Sequence, residues 1–580
     1  MRTLRAILLA AAAIAAPVAP AFAGGLSSTS QLSQSDRAAY REVFAMIDAA
    51  DWTGAAARIE GMADSPLKFA ALAELYTAKG SPKVELDPLL DLLRKAPETA
   101  KAEQLSRLAE LRGATILPPL PATQRLVWQG SQPRRGRAKG VTGDAVADRL
   151  EPQVRALITD NKPAEAEALF VAQQEFLTPD ARTQFQQRIA WSYYIVGDDG
   201  SAWRLAQQAM AGSGDWAVQA AWAAGLAAWR MQNCSDAANA FADVAERSRD
   251  YELAAAANYW AARADTRCGR PERVQARLRN AARYKETFYG LLASTALGIR
   301  SPGHHGLHDY RDEEWGAIGH KANVQVAMAL VEIGKSDLAD SFIRRQAQIG
   351  GPSDHNALIH LAADLNLAST QFWLAHNAPK GATVNMAARY PRPDWRPVKG
   401  WRVDQSLVFA HALQESDFRT HVVSPAGAVG LLQVRPGTAG DIARARGEAF
   451  DRQQLVDPAA NMDFGQAYIE TLRDSGATGG LLPKVIAAYN SGPVPVAEWN
   501  NRRFDKGDPL LYIESIPYWE TRGYVPSVLR NYWIYEQEAG KSGGSREALV
   551  AGLWPRFPGL PGARAVRMTP RPEAYASGTD

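Results

Sequence analysis

Glu415 has the surroundings of a residue that does chemistry. Asp404 is a helix-capping type, and Leu407, Ala410 and Leu413 recur on one helical face after it, so a helix is predicted from Asp404 to about Gln414-Glu415-Ser416. Glu415 then sits in the last turn behind an apolar run. Partial burial and the negative end of the helix both disfavour its charged form, which makes the carboxyl a proton donor near neutral pH. Read from these residues alone, the alternative is a solvated glutamate at a helix end.

The segments that follow supply what a reacting carboxyl needs around it. Glu415-Ser416-Asp417-Phe418 leads to Ser424-Pro425-Ala426-Gly427-Ala428-Val429-Gly430-Leu431-Leu432-Gln433 and then Pro436-Gly437-Thr438, a passage whose glycines let backbone approach a ligand closely. Asp457-Pro458 caps a helix with Met462, Gly465, Ile469 and Leu472 on one stripe. Another helix starts at Pro483 and ends in Ala488-Tyr489-Asn490-Ser491-Gly492, placing a tyrosine at its end. Glu514-Ser515-Ile516-Pro517-Tyr518-Trp519-Glu520-Thr521-Arg522-Gly523-Tyr524-Val525 opens a terminal aromatic helix. Asp417, two positions beyond Glu415, is not expected on its face, whereas Glu514 and Glu520 remain available as a second carboxylate.

The ordered set of Glu-Ser, Gly-Leu-Leu-Gln, Ala-Tyr-Asn-x-Gly and Ile-Pro-x-x-Glu-Thr-Arg-x-Tyr-Val resembles the soluble lytic transglycosylase family of bacterial cell-wall enzymes. The resemblance implies an all-α protein: an α-solenoid superhelix, ring- or U-shaped, a helical linker, and a lysozyme-like catalytic domain. It also implies cleavage of the MurNAc-β-1,4-GlcNAc bond of peptidoglycan without water, leaving 1,6-anhydro ends, with Glu415 as the single acid and base. Tyr489 matches the family tyrosine near the acid, Gln433 and Ser424 match residues facing the sugar, Asn490 lies in the same motif as Tyr489, and Glu520 matches a cleft glutamate. Trp519 and Tyr518 fit either sugar stacking or core packing. Thr420 stands where the family usually has proline, Leu432 where it has methionine, and Arg435 where an apolar residue lines the cleft; Arg435 could meet an anionic group on a stem peptide. A hydrolytic muramidase would need a second carboxylate or a positioned water. A non-catalytic peptidoglycan-binding scaffold would need none of Glu415, Gln433, Tyr489 and Glu520.

Ahead of this segment the pattern is helical. Asn161, Gly197, Asn233 and Gly269 are each 36 residues apart and each precedes another amphipathic stretch, as in stacked helix-turn-helix units similar in size to tetratricopeptide repeats. In one of them Asp215 is a candidate cap, with Trp222, Leu226 and Trp229 on one face. Cys234 and Cys268 fit either a disulfide between neighbouring units or two buried thiols. The polar passage from Gln129 to Gly143, with Arg134, Arg135, Arg137 and Lys139, reads as a solvated loop in preference to a surface for anionic polymer. Phe288-Tyr289-Gly290-Leu291-Leu292-Ala293 resembles the family's passage out of the superhelix.

Arg2 and Arg5, the apolar Ala6 to Ala16, and Ala21-Phe22-Ala23 form the pattern of a cleavable signal peptide, and the apolar core is too short to span a membrane. The expected division is 1–23 signal peptide, 24–288 superhelix, 289–390 linker, 391–540 catalytic domain and 541–580 flexible tail. Loss of the leader lowers the formal charge from +3 to +1, which gives no basis for a nucleic-acid partner. No metal-ligand spacing and no phosphate loop is present in the sequence, so neither a metal nor another cofactor is expected. The partners expected are peptidoglycan glycan strands and proteins of wall synthesis or remodelling, met in the periplasm, with no integral membrane segment in the mature chain.

Overall fold

A computed structural model describes residues 30–299, 312–502, 505–541 and 543–568. The expected signal peptide lies outside the described residues. The described residues are 64% helical with almost no sheet. Among the described residues the paired strands are two residues long: Val127–Trp128 with Asn377–Ala378, and Trp554–Pro555 with Ala565–Val566, both antiparallel. No described helix is long and apolar enough to cross a membrane.

The chain forms two compact units whose limits differ from the linear boundaries drawn from the sequence. One unit joins the described residues 30–126 to 312–370 and 379–382. Its early helices bury Leu89, Leu92, Leu93 and Leu105 together. The later segment is tied to them through polar groups: Arg37 Nε donates to Glu332 at 2.9 Å, Asn323 Nδ2 to the Glu98 carbonyl at 2.9 Å, and the Gln124 amide to the Gln348 carbonyl at 2.9 Å.

The other unit carries the repeats and the chemistry-bearing segment. Helix pairs run Ala145–Thr159 with Pro163–Val171, Pro179–Val196 with Asp199–Met210, Gly214–Arg230 with Cys234–Arg247, and Tyr251–Arg267 with Pro271–Ala282. Asn161, Gly197 and Gly269 adopt left-handed φ of 58°, 93° and 66° at the turns, as their residue types allow. In the third turn Gln232 takes that conformation, at 66°, and Asn233 instead caps the next helix by accepting from the Asp236 amide at 3.2 Å. Asp215 lies inside the first helical turn and Ser213 occupies the cap position, so the expected Asp215 cap does not form. Trp222 and Trp229 face inward as predicted, Trp222 against Phe241 at 5.2 Å and Trp229 edge-on to Trp260 at 5.4 Å.

The passage 129–143 is largely exposed, as its composition suggests, but it is anchored to its surroundings. Arg135 reaches inward to make two 2.6 Å bonds to the two carboxylate oxygens of Glu514, which is 1% exposed. The Tyr289 hydroxyl donates to the same carboxylate at 2.6 Å. Arg530 donates to the Pro133 carbonyl and, at 2.9 Å, to Gln132 Oε1, while the Trp216 indole donates to the Lys139 carbonyl at 2.8 Å. The segment is thus a strap between repeat helices and the chemistry-bearing segment, paired because an unpaired guanidinium or carboxylate inside protein is costly. The predicted flexible tail is likewise corrected over its first part. Gly544–Val550 is a helix, and Trp554 and Phe557 are buried, because two large aromatic side chains in that stretch find apolar cover; residues 569–580 lie outside the described residues.

Cys234 and Cys268 are joined in a disulfide, with their Cα atoms 5.6 Å apart and a separation of 34 positions in sequence. A cross-link closing a loop of this length adds about 2–4 kcal/mol by restricting the unfolded chain. Replacing both cysteines by alanine is expected to lower the unfolding free energy of this unit by that amount in chemical denaturation; an unchanged value would contradict a stabilising cross-link.

Candidate active site

The helix carrying Glu415 runs from Gln405 to Ser416, and Asp404 caps it by accepting from the Ser406 amide at 2.8 Å. Leu407, Ala410 and Leu413 are buried, as their spacing predicts. The helix stops abruptly because Asp417 and Phe418 both take left-handed φ, at 51° and 61°. That turn leaves Glu415 half-buried in the last helical turn. Burial pushes its carboxyl up to about 7; the hydrogen bond from Tyr524 opposes the shift and the negative charge of Glu520 adds to it.

Tyr524 is the residue that holds Glu415. It comes from the helix Trp519–Glu538, and its hydroxyl donates to Glu415 Oε1 at 2.5 Å. His411, one turn before Glu415, meets the same hydroxyl oxygen through Nδ1 at 2.8 Å. Burial drives the His411 imidazole down to about 3, so it is neutral. Because the tyrosine has one proton and gives it to Glu415, Nδ1 must carry the imidazole proton, and the order of donation is His411 to Tyr524 to Glu415.

The glycine-rich passage folds into a tight turn beside this carboxyl. Val429 bridges both Val423 and Val434, and Ser424 Oγ accepts from the Ala428 amide at 3.1 Å. Asn461, fully buried, pins the turn: its Oδ1 accepts from the Leu432 amide at 2.9 Å, and its Nδ2 donates to the Val429 and Leu455 carbonyls at 2.9 and 2.7 Å. Gly430 has a φ of 77°, and a β-carbon there would lie 2.2 Å from the Leu455 carbonyl oxygen. Gly465 gives way to Leu432 in the same manner, with a β-carbon falling 2.1 Å from Leu432 Cδ1. Gln433 adopts a φ of 46° and turns its amide nitrogen back to the Gly430 and Val422 carbonyls at 2.8 and 3.2 Å.

The predicted site residues divide into those that meet around Glu415 and those that support the turn. Tyr489 donates its hydroxyl to the Leu432 carbonyl at 2.7 Å, and its ring packs 4.5 Å from that of His411. It therefore secures the turn, and the hydroxyl bonded to Glu415 is that of Tyr524. Asn490 Oδ1 accepts from the Thr521 hydroxyl at 2.6 Å, fastening the end of the helix Leu482–Ser491 to the start of the helix Trp519–Glu538. Glu520 is exposed; Arg522 does not turn to it, and donates instead to the Ile516 carbonyl at 2.7 Å. Glu514, a candidate second carboxylate, is occupied by Arg135 and Tyr289. Tyr518 is 52% exposed with its ring edge-on to Trp499, whereas Trp519 lies beside two arginines. Arg435 is exposed in an open cavity of about 540 Å³ that Gly427, Thr438 and Arg452 also line. Among the described residues no group of three or more His, Cys, Asp or Glu could hold a metal ion.

Three participants escaped the sequence reading. Tyr524 stands in the last motif, four residues from Glu520, and that helical spacing was the signal for it. His411 is four residues before Glu415 on an otherwise apolar face, and Asn461 carries no local signal because its partners are distant backbone groups. Gly430→Ala is expected to cost about 2–3 kcal/mol through its left-handed backbone and the clash with Leu455. Chemical denaturation measures this, and an unperturbed variant would mean that the turn is looser than described.

The family description "Transglycosylase SLT domain" matches residues 397–511. A soluble lytic murein transglycosylase of Salmonella typhimurium is 34% identical over 162 residues, which is 27% of this chain and 24% of that protein. The protein of the same name in Escherichia coli K12 is 36% identical over 136 residues, 23% of this chain and 21% of its own length. The matched segment thus spans about a quarter of these curated relatives. In fold the likeness extends further. The lytic transglycosylase Slt of Pseudomonas aeruginosa, solved as an inactive mutant, superposes with a TM-score of 0.54 at 20% identity over 89% of this chain and 88% of that one. The 70 kDa soluble lytic transglycosylase of Escherichia coli superposes at 0.52 with 17% identity, over 91% of this chain and all of the other. The architecture is therefore that of these proteins, a helical superhelix with a lysozyme-like domain. Residues 397–511 thus match a transglycosylase SLT domain, and the chain as a whole shares the fold of these solved lytic transglycosylases.

Proposed function

We propose that this chain cleaves the MurNAc-β-1,4-GlcNAc bond of peptidoglycan in the periplasm without water, with Glu415 as the one acid and base. The observation that carries the reading is a half-buried carboxyl raised to about 7 and held by a tyrosine hydroxyl. Glu415 first gives its proton to the glycosidic oxygen as the bond from that oxygen to C1 of muramic acid breaks. The muramic N-acetyl oxygen supports the positive charge at C1, the task a second carboxylate performs in ordinary glycosidases. Glu415, now a carboxylate, takes the proton of the C6 hydroxyl, and O6 closes onto C1. The acid is regenerated and the product carries a 1,6-anhydro bridge.

The surrounding residues fit this sequence of steps. Tyr524 stabilises the carboxylate that exists between the two proton transfers, and neutral His411 fixes the direction of its hydroxyl. Ser424, Gln433 and Tyr489 give the turn its shape, against which the sugar would lie, Asn490 fastens the end of the Tyr489 helix to Thr521, and Glu520 supplies exposed negative charge on the cleft side. Occupation of Glu514 by Arg135 favours the one-carboxylate chemistry over hydrolysis. Residues 391–540 are accordingly assigned as the catalytic domain, 24–288 as the superhelix and 289–390 as the linker, with proteins of wall synthesis or remodelling as further partners.

Mass spectrometry of soluble products from purified sacculi tests the reading. Anhydromuramyl products are expected from the unaltered protein, with a loss of about 10²–10⁴-fold in Glu415→Gln. Reducing-end muramic acid would make the reaction hydrolytic, and intact sacculi with bound protein would make the chain a scaffold. Tyr524→Phe removes the bond that favours the carboxylate, so the alkaline limb of the rate, near pH 7 in the unaltered protein, is expected to move upward. Tyr489→Phe, which frees only the Leu432 carbonyl, is expected to leave that limb in place; equal shifts in both would remove Tyr524 from its assigned role.

A further inference from the structure

Two large aromatic side chains of the repeat-bearing unit stand open to solvent, Trp128 at 55% and Tyr251 at 69% exposure. Each is backed by a second ring. Tyr251 lies stacked on Tyr284, with ring centres 5.8 Å apart and planes 27° from parallel. Trp128 lies over His376 at 5.3 Å, tilted by 31°. Both positions are well held. Asp250 caps the helix that begins with Tyr251 by accepting from the Glu252 and Leu253 amides at 2.9 and 3.0 Å. The strand carrying Trp128 pairs with Asn377–Ala378, and buried His376 donates through Nδ1 to the Phe372 carbonyl at 2.9 Å.

One arginine joins the two ring pairs. Arg389 donates to the Gln129 carbonyl, next to Trp128, at 2.9 Å, and to Glu286, two residues past Tyr284, at 3.1 Å. The surface thus runs from Trp128 across an ion pair to Tyr284 and Tyr251, with Arg249, Arg283 and Lys285 exposed along it. The strap ties it to the chemistry-bearing segment: Gly136 donates to Asp250, Arg135 reaches Glu514, and the stretch from Gln129 to Arg135 spans at most about 20 Å.

The rings decide what such a surface holds. A ring backed on one side presents one flat face, and that face is electron-rich. The C–H face of a pyranose, with its slightly positive hydrogens, fits it, while the hydroxyls at the edge of the sugar find the ion pair and the cations between the rings. A protein interface depletes charge at its apolar core, whereas here an ion pair and three cations stand among the rings. A bilayer would require rings projecting from the apolar face of a helix in place of rings lying on other rings. We propose that Trp128 and the Tyr251–Tyr284 pair form a second glycan-binding surface, which holds a peptidoglycan strand away from the bond being cleaved. The inference rests on the transglycosylase reading for the identity of the polymer. Two contacts on one strand make the second binding event intramolecular, so long strands gain affinity that short ones do not.

The test uses the full chain carrying Glu415→Gln, with glycan stripped of peptides by an amidase and sorted into tetrasaccharide and long strands. Calorimetry is expected to show long strands bound more tightly. Trp128→Ala/Tyr251→Ala is expected to lower that affinity about tenfold or more and to leave the tetrasaccharide unaffected. Trp128→Phe/Tyr251→Phe, which keeps flat rings, is expected to restore it. Absence of long-strand binding, equal binding of both lengths, or long-strand affinity unchanged in the alanine variant would overturn the proposal. Ring-dependent capture by vesicles of anionic lipid, with strand binding unaffected, would make the surface a membrane contact and overturn it as well. Product analysis with the unaltered protein separates the two readings. Anhydro product without a ring-dependent length effect defeats the surface alone, and a ring-dependent length effect without anhydro product defeats the transglycosylase reading alone.

Discussion

Burying one carboxyl at the end of a helix sets the terms for everything around it. Charge on Glu415 is disfavoured by lost hydration and by Glu520, and favoured by a single hydrogen bond from Tyr524. The balance leaves the carboxyl close to evenly divided between its protonated and ionised forms at neutral pH, which is the condition for a group that must give a proton and then take one. The balance also carries a cost in stability. The folded protein keeps this proton where an unfolded chain releases it, so the contribution is full below about pH 4.5 and is lost as pH rises through about 7.

The helix Trp519–Glu538 organises both sides of this arrangement. Its Tyr524 meets Glu415, its Thr521 ties down Asn490, and its Trp519 and Arg522 line a cavity shared with the repeat helices. Farther along, Arg530 reaches the strap at Pro133 and Gln132. The strap in turn delivers Arg135 to Glu514 at the start of the same region. A carboxylate that sequence alone leaves available for catalysis is thus consumed in fastening the catalytic segment to the repeat helices. Such buried pairs are costly to form and costlier to break, so their value lies in fixing one arrangement of the segments they join.

Much of the architecture was legible in local pattern. Helical periodicity, the 36-residue spacing and the cap at Asp404 are short-range signals, and the helices formed where they pointed. Glu415 was legible because an apolar run followed by a glutamate fixes its depth as well as its position. What could not be read were pairings between distant segments. Arg135 looked solvated because its acidic partner lies 379 residues away in sequence, and the tail looked flexible because the cover over Trp554 comes from elsewhere. Tyr489 and Tyr524 illustrate the same limit within the site: both stand in motifs, and only the tertiary fold decides which hydroxyl reaches the acid. Gln232 replacing Asn233 in the left-handed turn is a smaller case, since the cap bond to Asp236 competes successfully for the asparagine.

The central claim is that Glu415 titrates near neutral pH because of where the fold places it. Carbon-13 NMR of the protein labelled at glutamate carboxyls, compared with Glu415→Gln, measures this directly. A resonance absent from the variant and titrating near pH 7 is predicted. Titration of that resonance at about 4.3, the ordinary value for glutamate, would contradict the account.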